Sequence, residues 1–381
     1  MLCTRRAAST LLRSTRSFTV LAIESSADDT CAAIVTSDRK ILSNVVIKQL
    51  SLHEQYGGIE PMTAIQAHQR NLPFAVTRAL KEANADIVKD IDGIAFTRGP
   101  GMPGCLSVGM NASKTMAAAL GKPLVGVHHM QGHALTPLLT SEEQNMPQFP
   151  FLTLLVSGGH TLLLLAESPV KFKILVDTVD QAVGRVIDKV SALLEIPWTP
   201  LGPGDALEKY CEAVQETELL HLGDSIMHGR KDFSFSGLHS QVERYLHSHG
   251  GIQNLDDAHR RALAFSFQYN AFAQLEDKIH IALKWCERQS IHVNHLVVSG
   301  GVASNHYLRQ RLAKCVKEFD PQRSIGLVFP PPKYCTDNAV MIAWASMPRF
   351  LAKEYDDYGI NLKAKWSIEE LADPDSVNPI S

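Results

Sequence analysis

Two histidines, His129 and His133, stand four residues apart, a spacing at which both can bind one metal ion. On a helix this spacing puts both imidazoles on the same face, as a divalent ion requires of two ligands. The same spacing also occurs on ordinary solvated helices, so the pair alone leaves a plain surface helix open. A functional metal site needs a third ligand from elsewhere in the chain.

Asp337 is the candidate third ligand. It follows three consecutive prolines, residues 330–332, and precedes a strongly helical pattern. A carboxylate in that position either caps the helix or reaches a ligand across a cleft. Two histidines with one carboxylate suit zinc or ferrous iron and leave coordination positions open for a substrate.

Three polar turns follow apolar runs that are typical of strands, at Glu24–Thr30, Ser157–Thr161 and Ser299–Ser304. Glycines in the second and third turns let the backbone approach a ligand closely, and free backbone N–H groups there can bind phosphate oxygens. The repeated pattern predicts a nucleotide site. The alternative is a set of tight connections that only let helices pack on a sheet.

A loop from Asp232 to Leu238 alternates apolar and polar residues beside His228, Arg230 and Lys231. Its aromatic and basic residues suggest a grip on single-stranded nucleic acid by stacking and phosphate contact. An edge strand followed by a helix cap explains the same pattern.

Composition limits the class of protein. The chain has 381 residues, 45% of them hydrophobic, which is enough for two packed cores. No stretch of 18 apolar residues occurs, so we expect no membrane span. Seven cysteines without a Cys-x-x-Cys pair argue against a zinc ribbon or a disulfide framework and suit a reducing compartment.

Residues 1–17 differ from the remainder of the chain because they contain four arginines and no acid. This composition predicts a mitochondrial presequence, with a disordered basic tail as the alternative.

The elements that position these motifs follow an α/β pattern in two related halves. A hairpin from Phe18 to Val35 opens the first half, residues 18–140, and a second strand, turn and strand opens the other half, residues 150–336. Long helical patterns alternate with strands in both halves. We expect a helix at about 337–364 to pack back on the first half, and a loosely ordered tail at 365–381.

The motifs together resemble the TsaD family, the tRNA N6-adenosine threonylcarbamoyltransferases, in particular its mitochondrial branch. The match extends from about Val20 to Pro348. The motifs, in the family's order, are Ile23 to Ser26, Tyr56 to Ile59, Gly99 to Gly101, His128 to Met130, Val156 to Thr161, Asp232 to Leu238, and Cys335 to Asn338.

The resemblance implies a two-lobed actin/Hsp70-like ATPase fold, with a nucleotide cleft between duplicated α/β domains that holds ATP or ADP or the substrate. It implies one divalent metal ion, zinc or iron, per subunit at His129, His133 and Asp337. It further implies contacts to the adenylate substrate, threonylcarbamoyl-AMP, from Leu155, Val156, Ser157, Gly158, Gly159, Asp188, Gly204 and Asn305.

The implied reaction transfers threonylcarbamoyl from threonylcarbamoyl-AMP to the exocyclic amine of adenosine 37, in tRNAs that read codons beginning with A. We expect the metal to act as a Lewis acid, and the amides of Gly158 and Gly159 to stabilise the departing phosphate. Our hypothesis for the base is Asp28 or Asp29, which lie in the first strand turn. The mitochondrial branch further implies a homodimer in the matrix and a separate synthase that supplies the donor.

The sequence departs from the family pattern in several positions. Asp29 replaces the usual glutamate, which keeps a carboxylate but shortens its reach. The other departures are Ala27 for cysteine, Met62 with Ile65 and Gln66 for the expected glutamate and arginine, Gln131 for glutamate, and Gln181 and Arg185 for acids.

Other functional classes remain open on the residues alone. A zinc metallopeptidase would need a glutamate beside the first histidine, where this chain has Met130. A small-molecule kinase or ATPase of the same fold would need no histidine pair. A subunit that only binds tRNA or a partner is favoured by the departures from the family pattern.

Overall fold

The computed structural model describes residues 16–223, 227–319, 321 and 325–372, which form two five-stranded mixed sheets flanked by helices. The first sheet contains β1 (Thr19–Glu24), β2 (Thr30–Thr36), β3 (Ile41–Ile47), β4 (Gly93–Gly99) and β5 (Leu124–His128). The second contains β6 (Phe151–Val156), β7 (Thr161–Ala166), β8 (Phe172–Val176), β9 (His295–Ser299) and β10 (Gly326–Val328).

The two sheets have the same topology. The first has the order β3-β2-β1-β4-β5 and the second the order β8-β7-β6-β9-β10, with antiparallel pairing at the hairpins and parallel pairing elsewhere. The central strands are buried on both faces, which explains why their sequences are continuous apolar runs. The predicted α/β class with two related halves is confirmed.

Helices cover both sheets. They are α1 (Leu50–His53), α2 (Pro61–Glu82), α3 (Pro103–Leu120), α4 (His129–Thr140), α5 (Val183–Leu193), α6 (Pro203–Cys211), α7 (Ser236–Ser248), α8 (Asp257–Arg288), α9 (His306–Phe319), α10 (Pro332–Cys335) and α11 (Ala339–Ala352). α2 and α3 pack on one face of the first sheet, and α5 to α9 build the core beside the second.

The helices α4 and α11 join the two sheets. One core cluster combines residues of β1, α4, α11 and β6, represented by Val20, Met130, Ile342 and Leu155. These four side chains are at most 2% exposed. The elements that bear the histidines and Asp337 therefore belong to the shared core, which restricts their movement.

The second and third polar turns are held together by close backbone contacts. The Gly184 N–H donates to the Ser157 carbonyl at 3.2 Å, and a Cβ added at Gly184 would lie 2.5 Å from that oxygen. Gly300 has a φ of 100°, and a Cβ there would lie 2.3 Å from the Val156 carbonyl oxygen. Only glycine fits at these two positions.

The C-terminal segment differs from expectation. The helix predicted for about 337–364 covers only Ala339–Ala352, because Lys353 adopts a left-handed conformation with a φ of 60° that ends it. The tail predicted to be loose from residue 365 is packed in its first part, through Trp366 and Ile368. Trp366 is 9% exposed, Ile368 is 2% exposed, and the Trp366 carbonyl contacts His128 Nε2 at 3.1 Å.

Other predictions concern features outside the helices and strands. The predicted presequence, residues 1–17, lies outside the described residues apart from Arg16 and Ser17, and so do residues 373–381 of the tail. The six cysteines of the described part of the chain are free and buried, in agreement with the predicted lack of a disulfide framework. Among the described residues, no helix combines the length and apolar content needed to cross a membrane.

Candidate metal and substrate site

The histidine pair lies at the start of α4. His128 ends β5, and its side chain accepts a hydrogen bond from the Met130 N–H, so the helix begins at His129. His129 and His133 therefore lie one turn apart, with ring centroids 4.8 Å from each other. Both are nearly inaccessible to solvent, with exposures of 4% and 2%. The prediction that they share a helix face is confirmed, and a solvated surface helix is excluded.

Asp337 does not cap a helix. Asn338 caps α11 instead, because its side chain accepts from the Met341 N–H at 3.1 Å. The carboxylate of Asp337 turns to the histidines, with its Oδ1 3.0 Å from His133 Nε2 and 3.5 Å from His129 Nε2.

These three residues fit a divalent ion. One ligand atom from each lies within 4.8 Å of the others. Two ligands bound about 2.1 Å from a metal, at tetrahedral or octahedral angles, are about 3.0–3.4 Å apart. The distances of 3.0 and 3.5 Å from Asp337 to the two imidazoles agree with this requirement, and all three ligand atoms, within 4.8 Å of one another, would draw together on a bound ion. The donor set of two imidazoles and one carboxylate suits zinc or ferrous iron.

Glu24, at the end of β1, orients His129. Its Oε2 lies 3.1 Å from His129 Nδ1 and accepts from the Thr97 hydroxyl, while its Oε1 accepts from the Ser26 N–H. A carboxylate on Nδ1 fixes the imidazole so that Nε2 faces the cluster, as in many metal sites. Sequence reasoning did not assign Glu24 a role, although a glutamate that ends an apolar strand beside two serines was a usable signal.

The charges of the cluster stabilise each other. Burial opposes ionisation of His129, but Asp337 and Glu24 outweigh it and raise the pKa of His129 to about 9. Burial likewise opposes ionisation of the two carboxyls, yet the charge of His129 holds the pKa of Glu24 and of Asp337 below the usual range. His160 faces the same centre, 6.2 Å from His129 between ring centroids, and burial lowers its pKa to about 4.

Asp28 and Asp29 lie in the turn between β1 and β2 and belong to the same electrostatic cluster. Burial raises the pKa of Asp28, and the charge of Asp337 adds to the effect. Burial raises the pKa of Asp29 well above its usual value, with further contributions from Asp28 and Asp337. A carboxylate with a raised pKa is a stronger base than an exposed one.

The turn after β6 has open space around its two glycines. Leu155 and Val156 are buried in β6, whereas an added Cβ at Gly158 or Gly159 would meet nothing within 4 Å. The Ser157 hydroxyl accepts from the Gly159 N–H at 3.3 Å and from the His160 N–H at 3.0 Å, which shapes the turn. The predicted phosphate contact at these glycines stays a prediction.

Three other predicted contacts lie in the second half. Burial raises the pKa of Asp188 on α5 to about 6, against the opposing charge of Arg185. Gly204, in the first turn of α6, has Ile187 of α5 as its neighbour, 3.8 Å from an added Cβ. Asn305 caps α9 and donates to Gln268 at 3.0 Å, so its side chain is held from two sides.

The expectation that the loop at 232–238 stacks on nucleic acid is wrong for its aromatic rings. Phe233 and Phe235 are fully buried, with ring centroids 5.9 Å apart. Asp180 holds the loop, because its carboxylate accepts from the Phe235 and Ser236 N–H groups at 3.0 and 3.2 Å. The loop is therefore a short bridge to Thr178 followed by the start of α7, as the simpler interpretation proposed.

Most of the departures from the family pattern make local contacts. The guanidinium of Arg185 packs over Gly58, 2.7 Å from an added Cβ there. Gln131 donates to the Pro169 carbonyl at 2.8 Å, and Gln181 donates to Ser236 at 3.0 Å. Met62 is 59% exposed, and nothing in the structure explains why it replaces an acid.

The fold and the site together define an α/β protein of two related halves with a buried two-histidine, one-carboxylate centre. Residues 40–344 match the sequence model of TsaD, described as tRNA N6-adenosine threonylcarbamoyltransferase. The chain belongs to this family. Membership favours a transferase over the metallopeptidase and the kinase considered above.

Curated relatives are similar over nearly the whole chain. The tRNA N6-adenosine threonylcarbamoyltransferase of Rickettsia bellii is 39% identical, over 92% of this chain and 99% of the relative. A probable mitochondrial tRNA N6-adenosine threonylcarbamoyltransferase of Arabidopsis thaliana is 37% identical, over 92% of this chain and 75% of the relative.

Solved structures with the same fold are distant in sequence. The activator of the 2-hydroxyisocaproyl-CoA dehydratase from Clostridium difficile is 13% identical with a TM-score of 0.51, over 90% of this chain and 99% of that one. HypF of T. kodakarensis is also 13% identical, with a TM-score of 0.53, over 90% of this chain and 49% of that one. These likenesses concern the fold alone, which is the actin/Hsp70-like ATPase fold expected from the sequence.

We predict that Glu24→Gln weakens zinc binding about 10- to 100-fold, the usual effect of losing a carboxylate behind a metal-binding histidine. Glu24 accepts hydrogen bonds on both oxygens, whereas glutamine has one acceptor oxygen and no charge. Competition with a chromophoric zinc chelator measures the affinity. Asp356→Asn is the control, because this carboxylate, whose side chain is 4% exposed, pairs with Arg349 instead. Equal zinc affinity in Glu24→Gln and the parent would contradict the assignment.

We predict that Asp188→Asn raises the melting temperature at pH 8 and not at pH 4. The pKa of Asp188 is raised to about 6 by burial, so its ionisation destabilises the folded state as the pH rises above the unfolded value of 3.8. The gain at pH 8 is at most about 3 kcal/mol. Thermal denaturation at the two pH values measures it.

The control for that measurement is Asp205→Asn. Burial opposes ionisation of Asp205, but hydrogen bonds from Lys209 and Thr199 lower its pKa, so its loss should destabilise the fold at pH 8. A lower melting temperature for Asp188→Asn than for the parent at pH 8 would contradict the prediction, because it would show that a partner stabilises the ionised Asp188.

Proposed function

We propose that the chain transfers threonylcarbamoyl from threonylcarbamoyl-AMP to N6 of adenosine 37, in mitochondrial tRNAs that read codons beginning with A. The observation that supports this most directly is the buried cluster of His129, His133 and Asp337 beside the carboxylates of Asp28 and Asp29. The cluster occurs in a chain of the transferase family, and its chemistry suits an acyl transfer in which a weak amine must lose a proton.

The proposed reaction needs no reactant other than threonylcarbamoyl-AMP and the tRNA. N6 of the adenine forms a bond to the carbamoyl carbon, and the bond between that carbon and the phosphate oxygen breaks. AMP leaves with the electron pair of the broken bond. The proton lost from N6 goes to the carboxylate of Asp28 or Asp29, whose raised pKa makes it a suitable acceptor.

His129, His133 and Asp337 would hold the divalent ion, zinc or iron, with Glu24 fixing His129 from behind. When bound, the ion supplies a Lewis acid for the carbamoyl oxygen of the donor. His129, His133 and Glu24 are buried, so this side of the site is shielded from water, which limits hydrolysis of the reactive donor.

The second half would bind the adenylate part of the donor. The amides of Gly158 and Gly159 lie in an open turn that a phosphate can approach, and the phosphate would replace the Ser157 hydroxyl as the acceptor of the Gly159 N–H. Gly184 and Gly300 fix the turn. In the proposal, the adenylate contacts the backbone of Leu155, Val156 and Ser157. Its nucleoside lies among Asp188, Gly204 and Asn305. An ATP or ADP molecule would bind in the same cleft.

The proposed setting is the mitochondrial matrix, as a homodimer, with the donor supplied by a separate threonylcarbamoyl-AMP synthase. The basic, acid-free segment at residues 1–17 and the mitochondrial relative of Arabidopsis thaliana support the location. The resemblance to the mitochondrial branch supports the homodimer.

The test is a transfer assay with purified residues 16–381, zinc or ferrous iron, threonylcarbamoyl-AMP and an unmodified mitochondrial tRNA. Mass spectrometry of the digested nucleosides measures the product. We expect threonylcarbamoyladenosine from the parent and none from the double variant His129→Ala, His133→Ala. A transcript with guanosine at position 37 should also give none.

Product from the double variant at the parent's rate would contradict a role for the metal cluster in transfer. No product from a metal-loaded parent that binds intact tRNA would contradict transfer by this chain without a partner.

For the base, we predict that Asp29→Asn with Asp28→Asn lowers the single-turnover rate about 10²- to 10⁴-fold. In the parent the rate should rise with pH, because the carboxylates must lose a proton whose pKa is raised, and the variant should lose this rise. Asp29→Glu is the control, because it keeps the carboxylate that the family usually has. An unchanged rate and pH profile in the double variant would exclude both residues as the base.

A further inference from the structure

A chain of buried hydrogen bonds lies behind the turn that bears Asp28 and Asp29. It begins at the Glu60 N–H, which donates to His53 Nδ1 at 3.3 Å. His53 Nε2 lies 3.2 Å from Gln49 Oε1. His53 and Gln49 are 2% and 1% exposed, so water does not compete for these groups.

The chain continues to the turn itself. Gln49 Nε2 donates to the Thr30 hydroxyl at 3.3 Å, and that hydroxyl lies 2.8 Å from His68 Nδ1. His68 Nε2 lies 2.9 Å from the carbonyl oxygen of Ala27, the residue before Asp28. Thr30 and His68 are fully buried.

The two ends of this chain require the same direction of donation. A backbone N–H only donates, so His53 accepts at Nδ1 and must carry its proton on Nε2, toward Gln49. A backbone carbonyl only accepts, so His68 must carry a proton on Nε2, toward Ala27. Burial lowers the pKa of His68, so the ring is neutral and its Nδ1 accepts from Thr30.

The backbone on the other side of the turn is fixed as well. The Met102 N–H donates to the Ser26 carbonyl at 2.8 Å, and Gly101 packs so closely that an added Cβ would lie 2.7 Å from that oxygen. The carbonyls of Ser26 and Ala27 thus have separate anchors. Between these anchors and β2 only Asp28 and Asp29 remain, and their orientation depends on the Ala27 peptide.

We infer that His68 is a positioning residue for the transfer: through its hydrogen bond to Ala27 it orients the Asp28–Asp29 turn toward the His129, His133 and Asp337 cluster. The inference rests on the proposed function of that turn. His68 itself lies on α2, behind the turn, with Thr30 and Ala27 as its hydrogen-bond partners, and is not one of the candidate metal ligands. A displacement of about 1 Å at a reacting group lowers rates about 100-fold, so an anchor of this kind affects the rate more than the stability.

Two replacements of His68 separate its two hydrogen bonds. In His68→Gln the side-chain amide reaches the position of Nε2 and can still donate to Ala27. In His68→Asn the shorter side chain reaches only the position of Nδ1, so it can accept from Thr30 but cannot contact Ala27. Thr30→Ser and Thr30→Val form a second pair, in which only serine keeps the hydroxyl.

Single-turnover transfer at saturating threonylcarbamoyl-AMP and tRNA is the first readout. We expect His68→Asn, which loses the bond to Ala27, to react about 10- to 100-fold more slowly than the parent, whereas Thr30→Val, which like His68→Gln loses only the bond between Thr30 and His68, should slow the reaction by less than His68→Asn does. His68→Gln and Thr30→Ser should stay within about threefold. Zinc content and tRNA affinity should be unchanged in all four variants, because none of the replaced side chains contacts the metal cluster.

Hydrogen exchange of the segment 24–31, followed by mass spectrometry, is the second readout and needs no activity. Faster exchange in His68→Asn than in His68→Gln supports the anchor even if the parent makes no product, in which case only the proposed function fails. Equal exchange and equal rates in the two variants would overturn the inference. Loss of rate together with loss of zinc and a similar fall in melting temperature in both variants would also overturn it, because His68 would then be only structural.

Discussion

The hydrogen bond between Glu24 and His129 determines the arrangement of the whole site. It joins the end of β1 to the start of α4, residues 105 positions apart in sequence, across the centre of the first sheet. Because Glu24 occupies Nδ1, the imidazole presents Nε2 to Asp337 and to His133. Without this contact the ring of His129 would lose the charged partner of its Nδ1 and keep only the Ser26 hydroxyl there, at 3.2 Å.

Around this contact the chain brings four carboxyl groups together with two imidazoles. Glu24, Asp28, Asp29 and Asp337 lie together with two histidines, and the pKa of Asp29 is raised well above its usual value by burial and by its neighbours. Buried like charges destabilise a fold, so natural chains retain them mainly at functional sites. A divalent cation and an acceptor that gives up a proton are the two components that relieve this repulsion.

The sequence predicted the parts of the structure that depend on local patterns. Apolar runs defined the strands, and the repeat of strand, turn and strand predicted the two halves, because buried strands need apolar residues on both faces. The four-residue spacing of His129 and His133 correctly predicted that both side chains lie on one face of a helix. The role of Glu24 was missed because its partner is 105 residues away: the local pattern marks the glutamate at the end of a strand but does not identify His129 as its partner.

Two errors have the same physical origin. Phe233 and Phe235 lie in a polar, basic stretch of sequence. Both rings are nevertheless buried in the hydrophobic core that α5 to α9 form beside the second sheet. The segment from residue 365 has the acids of a loose tail, but Trp366 and Ile368 are buried and the Trp366 carbonyl contacts His128 Nε2. In both cases tertiary packing overrode the compositional signal.

The most direct test of this account is anomalous diffraction at the zinc edge from crystals of the zinc-loaded chain. The account predicts one peak about 2.0–2.2 Å from His129 Nε2, His133 Nε2 and an Asp337 oxygen, with His129 Nδ1 still hydrogen-bonded to Glu24. A zinc ion bound elsewhere, or His129 coordinated through Nδ1 with Glu24 displaced, would contradict it.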